Sequence, residues 1–305
     1  MVYHGSVPAG FWHGRNILMG QLLMVAYEIP FWPGCVLLFL VGLMVGSFLN
    51  VVIVRLPRML QRSYDQECRA WLGEPVDDNA DRYDLLLPGS QCPHCSMPIP
   101  WYYNVPLMAY LVLGGKSACC HQPISIRYPC VELLAALMAL LPWICGMTGM
   151  KLAYALLFEW LLLAACFIDL EHMLLPDELT LPLLWAGLWV NRGDGFVPAE
   201  SAIEGAVLGY GLLWSCNALY RGLRGQDGMG RGDFKLLAAL GAWMGVEAVG
   251  RILFWAALLG TLFGILALLR RRLSLRSAIP FGPALALAGW ACFFAACWQG
   301  AGLHG

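Results

Sequence analysis

The chain has 305 residues, 59% of them hydrophobic and only 13% charged, with a formal net charge of −1. Soluble domains carry about a quarter charged residues, so this composition excludes an ordinary globular enzyme and specifies an all-α polytopic membrane protein. The lipid bilayer is the first partner expected, and no nucleic-acid partner is expected from so balanced a charge.

In chain order, residues 1–30 lack the charged start and small-residue cleavage site of a secretory signal, and read as an exported tail feeding an uncleaved first span. Crossing the hydrocarbon takes about 20 apolar residues. Runs of that kind predict eight transmembrane helices, near 34–54, 129–147, 152–168, 178–190, 202–220, 234–249, 252–269 and 280–298, the fourth of them short. They divide the chain into a tail with the first helix (1–55), a small segment outside the bilayer (56–127) and a seven-helix membrane domain (128–305). Glycines at 205, 209 and 211 and in "GAWMG" read as unspecific packing positions.

Positive residues in short loops stay cytoplasmic. Arg55, Arg58, Arg62, Arg69, Arg82, Lys116 and Arg127 lie between spans one and two; Arg221, Arg224, Arg231 and Lys235 lie between five and six; Arg270, Arg271, Arg272 and Arg276 lie between seven and eight. Fifteen of the nineteen positive charges thus share one face, which places both termini outside. Lys235 and the Arg270 to Arg272 cluster read as headgroup anchors.

The segment 56–127 is too small for a self-sufficient apolar core, and such segments are commonly held by a metal or by disulfides. Cys92 and Cys95 in "QCPHCS" have the C-x2-C spacing of a zinc knuckle, and Cys119 and Cys120 in "SACCHQ" could complete four thiolates, with His94 and His121 as substitutes. A cytoplasmic location favours Zn2+ over a disulfide. The same segment carries Asp65, Glu67, Glu74, Asp77, Asp78, Asp81 and Asp84, a run that reads as a solvated surface or, more sharply, as an attractor for a basic peptide.

In "FIDLEHMLLPDELTLP" an almost uninterrupted apolar run ends in Asp169, Glu171, His172, Asp177 and Glu178. A carboxylate in hydrocarbon costs about 2.5 to 3.5 kcal/mol on insertion scales, so acids at a span boundary call for a reason. Asp177, after Pro176, reads as a helix cap; Glu171 and His172 read as wetted loop residues, and Glu132 as a partner of Arg127 or a cleft residue. In "GMGRGDFKLLAALGAWMG" Asp233 opens span six after three glycines, on the same face as Asp169. Two carboxylates from separate helices can share a proton and run aspartic-protease chemistry. The C-terminal dipole of its span disfavours an anion at Asp169 and the N-terminal dipole favours one at Asp233, so Asp169 is expected to hold the shared proton.

On "VGSFLNVVIVRLP", "HQPISIRYPCVE", "FIDLEHMLLPDELTLPLL", "GMGRGDFKLLAALGAWMG" and "IPFGPALALAG", the chain resembles the type IV prepilin peptidases. The resemblance implies that Asp169 and Asp233 are the catalytic pair. It implies cleavage of basic leaders from type IV prepilins and type II secretion pseudopilins at the cytoplasmic face of the bacterial inner membrane, followed by N-methylation with S-adenosylmethionine. Aligned on "PIS", Cys120 takes the fourth metal-ligand position, but Ser117 stands where the family has its third cysteine. Two other readings are a presenilin-type intramembrane aspartyl protease, which shares G-x-G-D, and a non-enzymatic transport or assembly protein, which would place acids near mid-bilayer on several spans.

Overall fold

The computed structural model describes residues 30–74, 83–92, 94–193, 195–269 and 279–301, and each predicted span overlaps a helix there, although 129–147, 234–249 and 280–298 also include non-helical residues. The exported tail, Asp77, Asp78 and Asp81 of the acidic run, and the Arg270 to Arg276 cluster lie outside the described residues. Among those described there is no strand, only two isolated β-bridges.

Helix α1 (Phe31–Trp71) is 41 residues long and runs on beyond residue 54, where its apolar stretch ends. At 1.5 Å per residue it measures about 60 Å, twice the hydrocarbon thickness of about 30 Å, so it is longer than one bilayer crossing requires. Its second half is rich in Arg, Gln and Leu, good helix formers without a membrane signal. After the short α2 (Met108–Val112) come α3 (Arg127–Met138) and α4 (Leu140–Ile144), which together make one stretch of membrane-crossing length. Helix α5 (Gly149–His172) follows, then α6 (Asp177–Val190), α7 (Ala199–Arg224), α8 (Arg231–Met244), α9 (Val246–Leu269) and α10 (Gly282–Ala301). Among the described residues four stretches are long and apolar enough to cross a membrane: α1, Arg127–Ile144, α5 and α9.

The core centres on α8, whose residues 233–243 are all buried except Lys235, against α6, α7, α9 and α10. The predicted sixth span, 234–249, does not survive intact. Gly245, at φ +78°, ends α8 and starts α9, a break invisible to hydropathy because both sides are apolar. Three glycines are specific contact points and not unspecific ones. The Gly205 and Gly241 backbones abut so closely that neither admits a Cβ, and a methyl at Gly209 would lie 2.7 Å from the Leu237 carbonyl oxygen, whereas Gly211 faces open space. Small residues are what bring α7 and α8 together.

The 14-residue helices α6 and α8 form a short pair tied at both ends. At one end Lys235 Nζ donates to both Asp177 oxygens, at 2.5 and 2.7 Å. At the other, Asn191 Nδ2 donates to the carbonyls of Ala242 (2.8 Å) and Trp243 (3.3 Å), while its Oδ1 accepts the amides of Phe196 (2.7 Å) and Val197 (3.1 Å). Trp243 Nε1 also donates to the Leu183 carbonyl at 2.8 Å. Asp177 is therefore no cap, since Pro176 holds the N-cap position, and Lys235 is engaged with protein.

Candidate active site and cysteine cluster

Asp169 lies in the last turn of α5, 5% exposed. Its Oδ2 accepts the backbone N–H of Gly282, the first residue of α10, at 3.0 Å. The α5 helix then ends at left-handed Met173 (φ +51°), and the chain drops Leu175 into the core. Leu175 packs on two glycines at once: a Cβ on Gly232 would meet Leu175 Cβ at 2.6 Å, and a Cβ on Gly282 would meet Leu175 Cδ1 at 3.1 Å. Asp233 follows Gly232 as the third residue of α8, 8% exposed, with Oδ2 against Gly230. Gly282, Leu175 and Gly232 thus link the surroundings of the two aspartates, which act on one another electrostatically.

This arrangement changes the expected dipole argument. Asp233 is not an N-cap, because Gly230 occupies that position. Asp169, at the C-terminus of its own helix, faces the N-terminus of α10, where partial positive charge favours an anion. Both carboxylates therefore meet a helix N-terminus, which at Asp169 opposes the unfavourable C-terminal dipole of its own helix.

Neighbouring charges are committed elsewhere. Glu171 belongs to the last turn of α5 and pairs with Arg127 Nη1 at 2.5 Å. Glu132 takes the Leu107 amide at 2.8 Å, so it is not the partner of Arg127. Glu159, which sequence reasoning passed over, is fully buried in the middle of α5, and neither carboxylate oxygen has a hydrogen-bond partner. A single acid inside an apolar run was the available signal.

The four cysteines converge: one ligand atom from each of Cys92, Cys95, Cys119 and Cys120 lies within 4.8 Å of the others. Two similar turns present them. In the first, Cys92 N–H donates to Met97 O and Ser96 N–H to Cys92 O; in the second, Ser117 N–H donates to Gln122 O and His121 N–H to Ser117 O. Ser96 and His121 both have positive φ, +57° and +55°. Ser117 therefore occupies in the second turn the place of Cys92 in the first. Cys119 Sγ fills the gap, 3.1 Å from Ser117 Oγ and 3.1 Å from Cys95 Sγ, while Cys92 and Cys120 sulfurs are 3.6 Å apart. His94 and His121 are not part of the group. The Ser117 hydroxyl pulls the Cys92 thiol down to about 5, and its contact with Cys119 pushes Cys95 up to about 12. Arg55 fixes the module to α1 by donating to four carbonyls, those of Asp84, Leu85, Pro88 and Gly89.

Taken together, the features define an all-α membrane protein with two buried aspartates at one helix junction and, separately, a four-sulfur module. Residues 40–145 match the bacterial peptidase A24 N-terminal domain, and residues 155–265 match the type IV leader peptidase family. A prepilin leader peptidase/N-methyltransferase of Aeromonas hydrophila is 48% identical over 89% of this chain and 94% of its own length. The proteins of the same name from Aeromonas salmonicida (strain A449), 47% identical over 89% of this chain and 94% of theirs, and from Pseudomonas aeruginosa, 46% over 82% and 87%, are similarly close. The chain belongs to the type IV leader peptidase family. No solved structure matches it.

Proposed function

We propose that the chain is a prepilin leader peptidase and N-methyltransferase of the bacterial inner membrane, with Asp169 and Asp233 as its acid pair. The observation that carries the assignment of the pair is the junction itself, where Gly282, Leu175 and Gly232 connect two buried carboxylates from distant parts of the chain. A prepilin presents a basic leader followed by an apolar helix, so its scissile bond lies where that helix leaves the bilayer. The pair shares one proton. The ionised carboxylate takes a proton from water as the water oxygen attacks the scissile carbonyl carbon, and the protonated carboxyl donates to the carbonyl oxygen. Collapse of the tetrahedral adduct breaks the C–N bond and returns a proton to the leaving amine.

Two features support placement at the cytoplasmic edge, with both termini periplasmic and eight spans in all. One is the distribution of positive charge. The other, bearing on depth alone, is the brevity of α6 and α8: 14 residues span about 21 Å, less than the hydrocarbon thickness of about 30 Å, so each leaves at least one end short of a membrane surface, a depth at which a substrate helix and water can meet. The presenilin-type reading loses to the match over both family domains.

The four sulfurs suit Zn2+, a tetrahedral ion with Zn–S distances of about 2.3 Å, and Cys92, Cys95, Cys119 and Cys120 would hold it as a structural ion. Metal analysis of the purified protein, with loss of the ion in Cys95→Ser, tests this. The relatives are named N-methyltransferases as well, and S-adenosylmethionine is the methyl donor proposed for that activity here. No strand that could open a Rossmann turn is present among the described residues.

The deciding experiment mixes purified protein with a short prepilin in detergent. Asp169→Asn and Asp233→Asn each abolish cleavage; full cleavage by either variant would refute the pair.

A further inference from the structure

The loop that carries Asp233 into place is held by a side-chain clamp outside the acid pair. Asn217, two turns before the end of α7, is 8% exposed although Trp214 and Tyr220 on the same helix are 55% and 41% exposed. Its Oδ1 accepts two consecutive amides, Gly228 at 2.8 Å and Met229 at 3.2 Å. Its Nδ2 donates to Asp227 Oδ1 at 3.0 Å, and Arg221 Nε donates to the same oxygen at 2.9 Å. Gly228 is also pressed on the Tyr220 ring, where a Cβ would fall 2.7 Å from Cδ1.

These bonds are not helix capping. The α7 helix is closed by Gly225, left-handed at φ +73°, eight residues beyond Asn217. The bonds close the following segment instead, which contains Gly225, Gly228 and Gly230 and would otherwise have wide conformational freedom. Within the segment Met229 packs against the core, and a cavity of about 480 Å³, lined by Tyr210, Trp214, Asn217, Arg221, Arg231 and Phe234, lies beside Asn217. Asp233 Oδ2 rests against Gly230, so the clamped segment ends on the carboxylate itself.

We infer that Asn217, with Asp227 and Arg221, forms a positioning set that fixes the Asp233 carboxylate by holding the Gly225 to Gly230 loop. The inference rests on the reading of Asp233 as one of the acid pair. It predicts a cost in turnover with little cost in substrate binding, since none of the three side chains belongs to the junction of the two aspartates.

The test uses the full chain in detergent with a short prepilin, comparing wild type, Asn217→Ala, Asn217→Asp, the exchanged pair Asn217→Asp with Asp227→Asn, and Asp233→Asn. Asn217→Ala should lower kcat by about 10²-fold, the order expected for a displacement near 1 Å, with KM changed less than about twofold. Asn217→Asp sets two carboxylates against one another and should be as poor. The exchanged pair restores one donor and one acceptor between the two positions, keeps the acceptor for the Gly228 and Met229 amides, and should recover most of the turnover. Retention of wild-type kcat by Asn217→Ala, or losses matched by equal losses of folded protein and not rescued by the exchange, would overturn the clamp. Full activity in Asp233→Asn would instead overturn the acid-pair reading, and an inactive Asp233→Asn beside an active Asn217→Ala would overturn the clamp alone.

Discussion

Gly282 donates its backbone N–H to Asp169 Oδ2 at 3.0 Å, so the first residue of α10 holds a carboxylate from the end of α5. The contact leaves no room for a side chain: a Cβ on Gly282 would lie 2.6 Å from Oδ2 and 3.0 Å from Cγ of Asp169. Gly282→Ala therefore must push the carboxylate aside or move α10. A displacement of this order costs about 10²-fold in turnover. The expected result is a folded protein with kcat for leader cleavage lowered by that factor; unchanged kcat would show that the orientation of Asp169 does not depend on α10.

The two ends of the α6–α8 pair should respond unequally to mutation. The Lys235–Asp177 ion pair is partly exposed, at 28% and 50%, and pairs of that kind contribute about 0.2 to 1 kcal/mol. Asn191 is 1% exposed and satisfies two carbonyls and two amides. Removing it leaves buried groups unpaired at about 1 to 3 kcal/mol each. Asn191→Ala should lower the thermal unfolding midpoint in detergent well beyond Asp177→Asn, and only the Asp177→Asn effect should shrink with added salt. Equal effects from the two would mean that water reaches the Asn191 site.

Much of this was legible because lipid imposes a strong pattern. Apolar runs located the helices, and acids at the ends of those runs singled out Asp169 and Asp233. What hydropathy could not register were features with no polarity of their own. The break at Gly245 lies between two apolar stretches, and the exposed half of α1 has helix propensity without a membrane signal. The partner of Asp169 is a backbone amide, which no side-chain pattern reveals, although it lies in the quoted "IPFGPALALAG". The cysteine module was readable as donor types, but the placement of Cys119 in the gap beside Ser117 depends on the shape of a turn. Asn191 and Asn217 were readable in principle, as amides at the ends of apolar helices, where an unpaired buried polar group is costly.

Glu159 offers a test of the interior. It is fully buried in α5, ten residues before Asp169, and both oxygens lack partners. A buried polar group without hydrogen bonds is destabilising, and replacing it by an apolar residue of similar volume is commonly neutral or stabilising by about 1 to 4 kcal/mol where charge is involved. Glu159→Leu should therefore raise the unfolding midpoint and leave leader cleavage intact. A fall in the midpoint, or loss of cleavage with the fold preserved, would show that the carboxyl has a partner or a role beyond packing.

Asp227 supplies the pH dependence of the loop before α8. The Asn217 amide, and then the charge of Arg221 and Arg231, hold its carboxyl below the ordinary value of 3.8. With the folded value below the unfolded one, its stabilising effect is fully present above pH 3.8 and is lost as pH falls through the depressed folded value. Across neutral pH the group stays ionised, so its contacts with Asn217 and Arg221 are constant there. The ratio of wild-type to Asp227→Asn cleavage rates should accordingly stay flat between about pH 5 and 8, and any acid limb of activity in that range must come from other groups. A ratio that changes within the window would mean that Asp227 titrates near neutrality, which is incompatible with two donors on one of its oxygens and two arginines beside it.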